Sequence, residues 1–497
     1  MSKERKSIIP QKIRTRLYKN MWEWINATLG EFRYCFSRPA TYKWFVIVVV
    51  GLMLRSDHLG VTSIIRELNL SESSYMAMLH FFRSEGWHIL RLQSAWLHIL
   101  KVSPLAVKEN GRYILTGDGV KEGKEGRKMP GVKRLHQESD NSSKGEYIHG
   151  HMFGGLGLLM GNGVKMYSVL ISVMLHDGIS AFGKWQQGDD YIEESHVVKM
   201  IQDAGRVVKT LGESILLLDR LFMTVPMLTE LMKHPGLTVV TKAKSNATAY
   251  YPPGPYKGRG AKPKKGASVK VFDFFDTHSH EFIQTQMTLY GKSKNIRYFC
   301  INLRWGKKLY QELRFVLTEM DGVRSVLVST GLTLSPVQII SLYCKRFKIE
   351  CSFRELKQVV AGFSYHFWSK AMPKLQKFKS NDVNRANLEN VAAQRDRKLI
   401  RNAAKAVEGF VQLSVIALGL LQLTGFLYGN EITGGGGRFM RTVSNETPSE
   451  RTVADFLRKN IFVLFRFLPH LALTSIISSR QKLPFVAFKD SRIDFVA

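Results

Sequence analysis

Cysteine is nearly absent from this chain: Cys35, Cys300, Cys344 and Cys351 are the only four in 497 residues. No two of them form a C-x-x-C pair, which argues against a zinc ribbon, and four in so long a chain point to a reducing cytosol rather than a disulfide scaffold. Long apolar runs are few. Trp44–Leu54 falls short of the roughly 20 residues that a bilayer span takes. Residues 409–429 are long enough, but Gln412, Ser414, Gln422 and Thr424 interrupt them. They are expected as a buried helix packed on protein, with no stable membrane association. The basic N-terminus, Met1 to Lys6, is not followed at once by a cleavable apolar segment, so the expected location is cytoplasmic, at the bacterial nucleoid.

Acidic residues are also scarce. There are 41 Asp and Glu against 72 Lys and Arg, a formal net charge of +31. Such an excess repels itself in a compact fold unless a polyanion accompanies it. Nucleic acid is the expected polyanion and an anionic membrane surface the rival, because charge alone specifies neither fold nor reaction.

Apolar residues make up 44% of the chain, enough for a core, and the length asks for two to four structural units. Residues 1–104 read as a helical DNA-binding region. In it Val61–Leu68, the polar turn Asn69–Ser73 and Tyr75–Phe82 outline either a helix-turn-helix or an ordinary helical hairpin, with Ser71 or Ser73 capping the second helix. From Tyr113 the period changes. Short apolar strands come first and strand–helix alternation follows, which predicts an α/β fold: a mixed sheet flanked by helices, over 105–243 and again over 334–430. Between these parts lies a β-rich insertion, 244–333, with expected strands at Val269–Phe275, Phe282–Tyr290, Ile296–Leu303, Leu313–Leu317 and Ser325–Ser329. The glycine tract 434–437 reads as a linker, and 431–497 as a helical C-terminal unit.

Because carboxylates are few, their placement is informative. Asp118 and Asp219 each end an apolar strand, ILTGD and ILLLD. Neighbouring strands ending this way would place two carboxylates at one rim, where like charges call for a cation, and oxygen ligands suit Mg²⁺ or Mn²⁺. The competing reading is that each aspartate merely caps the next turn. A third carboxylate comes from a long helix expected from about Ser335 to Val360. At about 100° per residue Tyr343, Arg346, Glu350 and Lys357 share one narrow stripe, Arg354 falls close beside it, and Glu355 faces away. Cations on that face would meet phosphate oxygens while the carboxylate meets metal; the alternative is a solvated charged face.

The basic stretch Lys257, Arg259, Lys262, Lys264 and Lys265 lies among prolines and glycines. It reads as a phosphate-tracking arm or a solvated loop. Asp276, His278, His280 and Glu281 read as a hairpin tip rather than a zinc site. Trp305 is expected in the core rather than stacked on an extruded base, and His149 and His151 in structural roles.

The phrase Tyr343-x2-Arg346-x3-Glu350-x6-Lys357 resembles the Y-R-E-K signature of a large class of bacterial insertion-sequence transposases with a DDE catalytic core. The context of Asp118, the Asp219-Arg-Leu-Phe222 segment and the long second gap with its β-rich insertion resemble that family too. The resemblance covers roughly residues 113–370. It implies an RNase H-like core in which Asp118, Asp219 and Glu350 are catalytic and ligate two divalent ions, Mg²⁺ or Mn²⁺. It further implies that Tyr343, Arg346 and Lys357 contact DNA near the element's end. The implied partners are double-stranded DNA, both terminal inverted repeats and target, and a second copy of the chain, because two element ends must be joined. A catalytically silent DNA-binding descendant of such an enzyme is the alternative.

Overall fold

The computed structural model describes residues 11–137, 145–163, 165–189, 195–256, 258, 261–375, 388–434 and 447–482. The basic N-terminus, Lys257, Arg259 and most of the glycine tract lie outside the described residues.

Three antiparallel strands, β1 (Arg112–Gly123), β2 (Tyr147–Gly161) and β3 (Met166–Leu175), form one side of the sheet. β4 (Ser214–Leu217) pairs parallel with β1, and β5 (Leu237–Lys242) parallel with β4. The spatial order is therefore β3-β2-β1-β4-β5, a mixed sheet. β4 is short, fully buried and apolar apart from Ser214, as parallel strands covered on both faces usually are.

The insertion contributes β6 (Ile283–Leu289), β7 (Lys292–Trp305), β8 (Gln311–Met320) and β9 (Val323–Ser329), all antiparallel. β9 pairs with β5, Ser329 opposite Val240. The insertion thus extends the core sheet rather than forming a separate one, and a single 13-stranded sheet results. One expected strand differs. Only Ser268–Lys270 of the run 269–275 is extended, and helical turns follow it. Val271, Phe274 and Phe275 are the buried residues there, and their i, i+3, i+4 spacing is that of a helix.

Five helices precede the sheet: α1 (Gln11–Gly30), α2 (Pro39–Leu54), α3 (Gly60–Glu67), α4 (Ser74–Arg83) and α5 (Ile89–Val102). The α3–α4 pair lies where the sequence places two short helices. Ser73 stands at the N-cap of α4, but no side chain caps it. Next come α6 (Ile179–Gln186), α7 (His196–Leu211) and α8 (Val225–Leu231). The remaining labelled helices are α9 (Pro336–Lys345), α10 (Lys348–Gln358), α11 (Gln394–Leu427), α12 (Glu450–Lys459), α13 (Ile461–Phe467) and α14 (Ala472–Ser478).

The apolar run 409–429 falls in α11, which is buried continuously from Ala403 to Gly425. By length and composition α11 could cross a membrane, as could α13 and α14 if counted as one bent span; 89% of the α11 apolar window is buried in the protein. Its glycines admit indoles: a Cβ at Gly409 would lie 2.6 Å from Trp87, and one at Gly419 2.3 Å from Trp96. The helices before and after the sheet pack around α11 in the same apolar core as the sheet, so the two terminal regions are not separate bodies.

One buried cation ties this bundle to the sheet's covering helices. Arg55, just after α2, is 2% exposed. It donates to the carbonyls of Gly60 (2.8 Å), Val360 (2.5 Å) and Ala361 (2.8 Å), and to the hydroxyls of Ser63 and Ser364. Val360 and Ala361 lie just beyond the end of α10. Replacing Arg55 by Met leaves these carbonyls buried without a donor. The expected loss is about 3 kcal/mol, read from urea unfolding; a loss below about 1 kcal/mol contradicts the role assigned to Arg55.

Candidate active site

The parallel register between β1 and β4 brings the two aspartates together. Tyr113 stands opposite Ser214 and Thr116 opposite Leu217. Two residues further on, Asp118 and Asp219 come level, with the parity that puts both side chains on one face. Both also serve their own backbone: Asp118 accepts from Gly119 N at 2.7 Å, and Asp219 from Leu221 N at 2.7 Å. Asp219 caps the turn after β4, but Asp118 neither ends a strand nor caps a turn: β1 runs on past it to Gly123, because Val120 to Gly123 keep pairing with β2.

Helices α9 and α10 cover that face. α9 starts with Pro336 at its first turn and a reciprocal capping box between Ser335 and Gln338. Ile339, Ile340 and Leu342 then pack over Ile215, Leu217, Val240 and Leu327. The single helix expected over 335–360 is in fact two. At Arg346 and Phe347 the bonds tighten, Arg346 N to Tyr343 O at 3.0 Å and Glu350 N to Phe347 O at 3.0 Å, and the chain turns there. Such a tightening shifts the direction of everything beyond it. It lets α9 cover the β4–β5 side while α10 covers β1 and β3. Ser352 anchors α10 by donating to Ser168 O at 2.6 Å. Phe353 lies on Gly155, the cross-strand partner of Asp118, where a Cβ would come within 2.5 Å of the ring.

Arg346, at the turn, is the centre of the site. Its guanidinium reaches Asp118 Oδ2 at 3.4 Å and Glu350 Oε1 at 2.5 Å. Burial disfavours its charge, but Glu350 and Asp118 outweigh that and raise its pKa. Burial pushes Asp118 up to about 6; the Gly119 amide and Arg346 pull it down, while Asp219 and Glu350 push it up. Tyr343 lies against Arg346 and within the field of Asp219, and burial raises its phenol above the ordinary value. Lys357 crosses to β1, pairing with Glu122 at 2.9 Å and donating to Lys121 O at 3.3 Å. Asp118, Glu350 and Tyr343 thus gather on Arg346, with Glu350 exposed, Asp219 near enough to act on Asp118 and Tyr343, and Lys357 further along α10.

Other expected site residues are elsewhere. Arg354 is exposed and pairs with Glu355 at 2.7 Å; none of the three carboxylates acts on it. Glu355 in turn acts on Lys165 and Tyr167, consistent with a side chain turned from the site. Lys262, Lys264 and Lys265 belong to a loop closed by Tyr251–Ala267 and Gly266–Tyr251 backbone bonds. Its base pairs with the Arg304 end of β7, and Lys265 stacks on Tyr250 and Tyr310. The opposite end of β7 carries the hairpin tip, where Tyr290 packs on Phe347 at 5.6 Å beside Arg346. About 40 Å of strand separates the two ends, so the loop is not brought to the carboxylates. Tyr290 is the insertion residue that the sequence did not single out. Its one local signal is Tyr290-Gly291 between two strands, a turn dipeptide.

Trp305 is half-buried against the main core. His151 is fully buried between Tyr365 Oη (2.6 Å) and Pro130 O (2.8 Å), and burial drives its pKa down to about 3. His149 lies half-buried on β2. Asp276 to Glu281 form helical turns rather than a hairpin tip, with Asp276 paired to Arg324 at 3.0 Å.

Among the described residues no three His, Cys, Asp or Glu side chains stand arranged to hold a metal ion. The donor set nonetheless fits a hard divalent cation. It is all carboxylate, and Asp118 and Glu350 already share one cation, the Arg346 guanidinium. No protein-family model, no curated protein and no solved structure matches this chain.

Two outcomes are expected from this geometry. Between about pH 4 and 6 folded Asp118 keeps a proton that the unfolded chain releases, so stability falls as pH rises through that window. Asp118→Asn escapes this penalty, so in EDTA its advantage over wild type grows across the window to on the order of 2 kcal/mol. Urea unfolding at pH 4.5 and 7.5 checks it, and a pH-independent difference contradicts it. Gly155→Ala drives a Cβ into Phe353 and lifts α10, costing about 1–3 kcal/mol. Phe353→Leu in the same chain should restore part of that loss in thermal melts; no restoration would place the strain elsewhere.

Proposed function

We propose that this chain is a DDE-type DNA transposase that binds the ends of a mobile element, cleaves phosphodiester bonds and joins the 3′ ends to target DNA. The observation that supports this best is that Arg346 bridges Asp118 and Glu350, from two separate elements, while Asp219 from a third acts on Asp118. Asp118, Asp219 and Glu350 would hold two divalent ions, Mg²⁺ or Mn²⁺. When bound, such ions activate the attacking water or 3′-hydroxyl and neutralise charge on the leaving oxygen. The chain's own residues supply the rest. Arg346 and Lys357 offer donors to phosphate oxygens from the face that carries the carboxylates. Tyr343, its phenol kept protonated by burial, can donate a hydrogen bond without adding negative charge. Double-stranded DNA is the expected partner, with two copies of the chain joining two ends.

A catalytically silent DNA-binding protein on the same fold is the second reading. The Arg346 bridge favours it, since a guanidinium between two carboxylates neutralises them without any ion. A strand-transfer assay on end-bearing DNA with Mg²⁺ or Mn²⁺ separates the two. Activity lost by at least about 10³-fold in Glu350→Gln supports the enzyme. Full activity in that variant removes Glu350, and absence of cleavage by wild type favours the silent reading. A second outcome needs no turnover: Arg346→Gln should bind Mn²⁺ about tenfold more tightly than wild type without DNA, by titration calorimetry. Weaker binding would mean that the guanidinium does not compete with the ion.

A further inference from the structure

A second basic region lies on the helical side. Three adjoining cavities, of about 710, 400 and 440 Å³, run between α2, α4, the first turns of α11 and α6. They share walls: Glu85 lines the first two, and Ile179 and Arg401 the last two. Arg38, Arg83 and Lys398 line the first, Arg401 and Lys405 the second, Lys184 and Arg401 the third. Glu85 is the one acidic residue in the three linings.

The side chains are poised differently. Lys405 is buried, with its ammonium committed to Ser84 O and Trp87 O at the groove floor. Lys398, Arg401 and Lys405 are three and four residues apart on α11, so they form one ladder of cations rising about 10 Å. Glu85 sits between Lys398 (3.4 Å) and Arg401 (3.5 Å), a single carboxylate shared by two cations. Among the described residues neither Arg38 nor Arg83 has an acidic partner. The apolar surface of Trp44 and Phe81 backs them.

The groove also connects with the carboxylate site. The segment leaving α10 passes cation after cation: Lys124 donates to Phe363 O, Lys128 to Lys370 O (3.0 Å), and Arg83 to Trp368 O (3.4 Å). A row of cations therefore leads from Lys357 beside β1 to Arg83 at the groove.

We infer that this groove binds the phosphodiester backbone of duplex DNA, and that Glu85 holds the place between Lys398 and Arg401 that a DNA phosphate takes. The inference rests on the DNA-binding part of the function proposed above. A ladder of donors with one removable acid, on a chain of net charge +31, suits a repeating monoanion rather than a small ligand. The contacts carry no base readout, so binding there is independent of sequence and holds the duplex in register.

Fluorescence anisotropy of the full chain on a random 20-bp duplex tests this across salt concentrations. In Lys398→Ala/Arg401→Ala the slope of log affinity against log salt should shrink by about 2, with affinity near 0.1 M salt falling roughly 10- to 100-fold. Arg38→Ala/Arg83→Ala, whose side chains are exposed, should shrink it similarly and guards against loss through misfolding of the first variant. Glu85→Gln should tighten binding. A steep wild-type slope that both double variants leave unchanged overturns the groove while sparing DNA binding. A flat wild-type response overturns DNA binding itself. Tighter, Lys398/Arg401-dependent binding of duplex RNA than of DNA overturns the choice of DNA.

Discussion

The site depends on the parallel pairing of β1 with β4. A parallel pair is joined only through a crossover, here the long excursion through β2, β3, α6 and α7, so Asp118 and Asp219 are far apart in sequence and level in space. A slip of one residue in that register would turn one carboxylate to the opposite face. The apolar residues before each aspartate prevent it, since Ile114 and Ile215 are fully buried beneath α9. The same hydrophobic alternation that stabilises the sheet therefore aims the two acids.

Glu350 depends on a different constraint. A straight helix over 335–360 would follow one line across a twisted sheet and could not stay in contact with both β5 and β3. The tightened turn at Arg346 and Phe347 redirects it, and Gly155 lets Phe353 settle on β2 directly opposite Asp118. Arg55 then holds the chain just past the end of α10 against the helical bundle. Helices from the two ends of the chain thus support the position of one carboxylate near its middle.

These differences explain what could be read from residues alone. That the two aspartates lie on neighbouring strands was legible because burial and period 2 leave little freedom to short apolar runs; that β1 continues past Asp118 was not, since Gly117 and Gly119 read as a turn. The pairing of Glu350 with Arg346 was legible because they lie four residues apart, and it survives a local tightening of the helix; with Glu350 exposed, it equally fits the solvated charged face that the sequence also allows. The turn itself was not legible, since Arg346 and Phe347 keep helical dihedrals and no Gly or Pro marks the place. Arg354 lies beyond the turn, where phase counted along one unbroken helix does not carry over, and it is exposed and paired with its neighbour Glu355. The basic loop misled in another way: composition shows that Lys262, Lys264 and Lys265 are exposed, but only the pairing of Tyr250 with Arg304 shows which end of β7 they occupy. Tyr290 was invisible because its importance comes from a hairpin curling onto Phe347.

The charge distribution gives the carboxylates their significance. In a chain so rich in cations, a buried acid would ordinarily be neutralised by whichever basic residue lies nearest, and Asp177 shows this, paired with Lys133 at 2.7 Å and held far below the usual carboxylate range despite its burial. Asp118 is the opposite case. It has Arg346 beside it, yet it stays raised, chiefly because burial disfavours its charge; the Gly119 amide and Arg346 pull it down, and Asp219 and Glu350 add smaller upward pushes. Burying a carboxylate beside other carboxylates costs stability, and such strain persists where a site has a use for it. Burial of Asp118 near two other carboxylates, with Arg346 bridging Asp118 and Glu350, is what sets this rim apart from an ordinary ion pair such as Asp177 with Lys133.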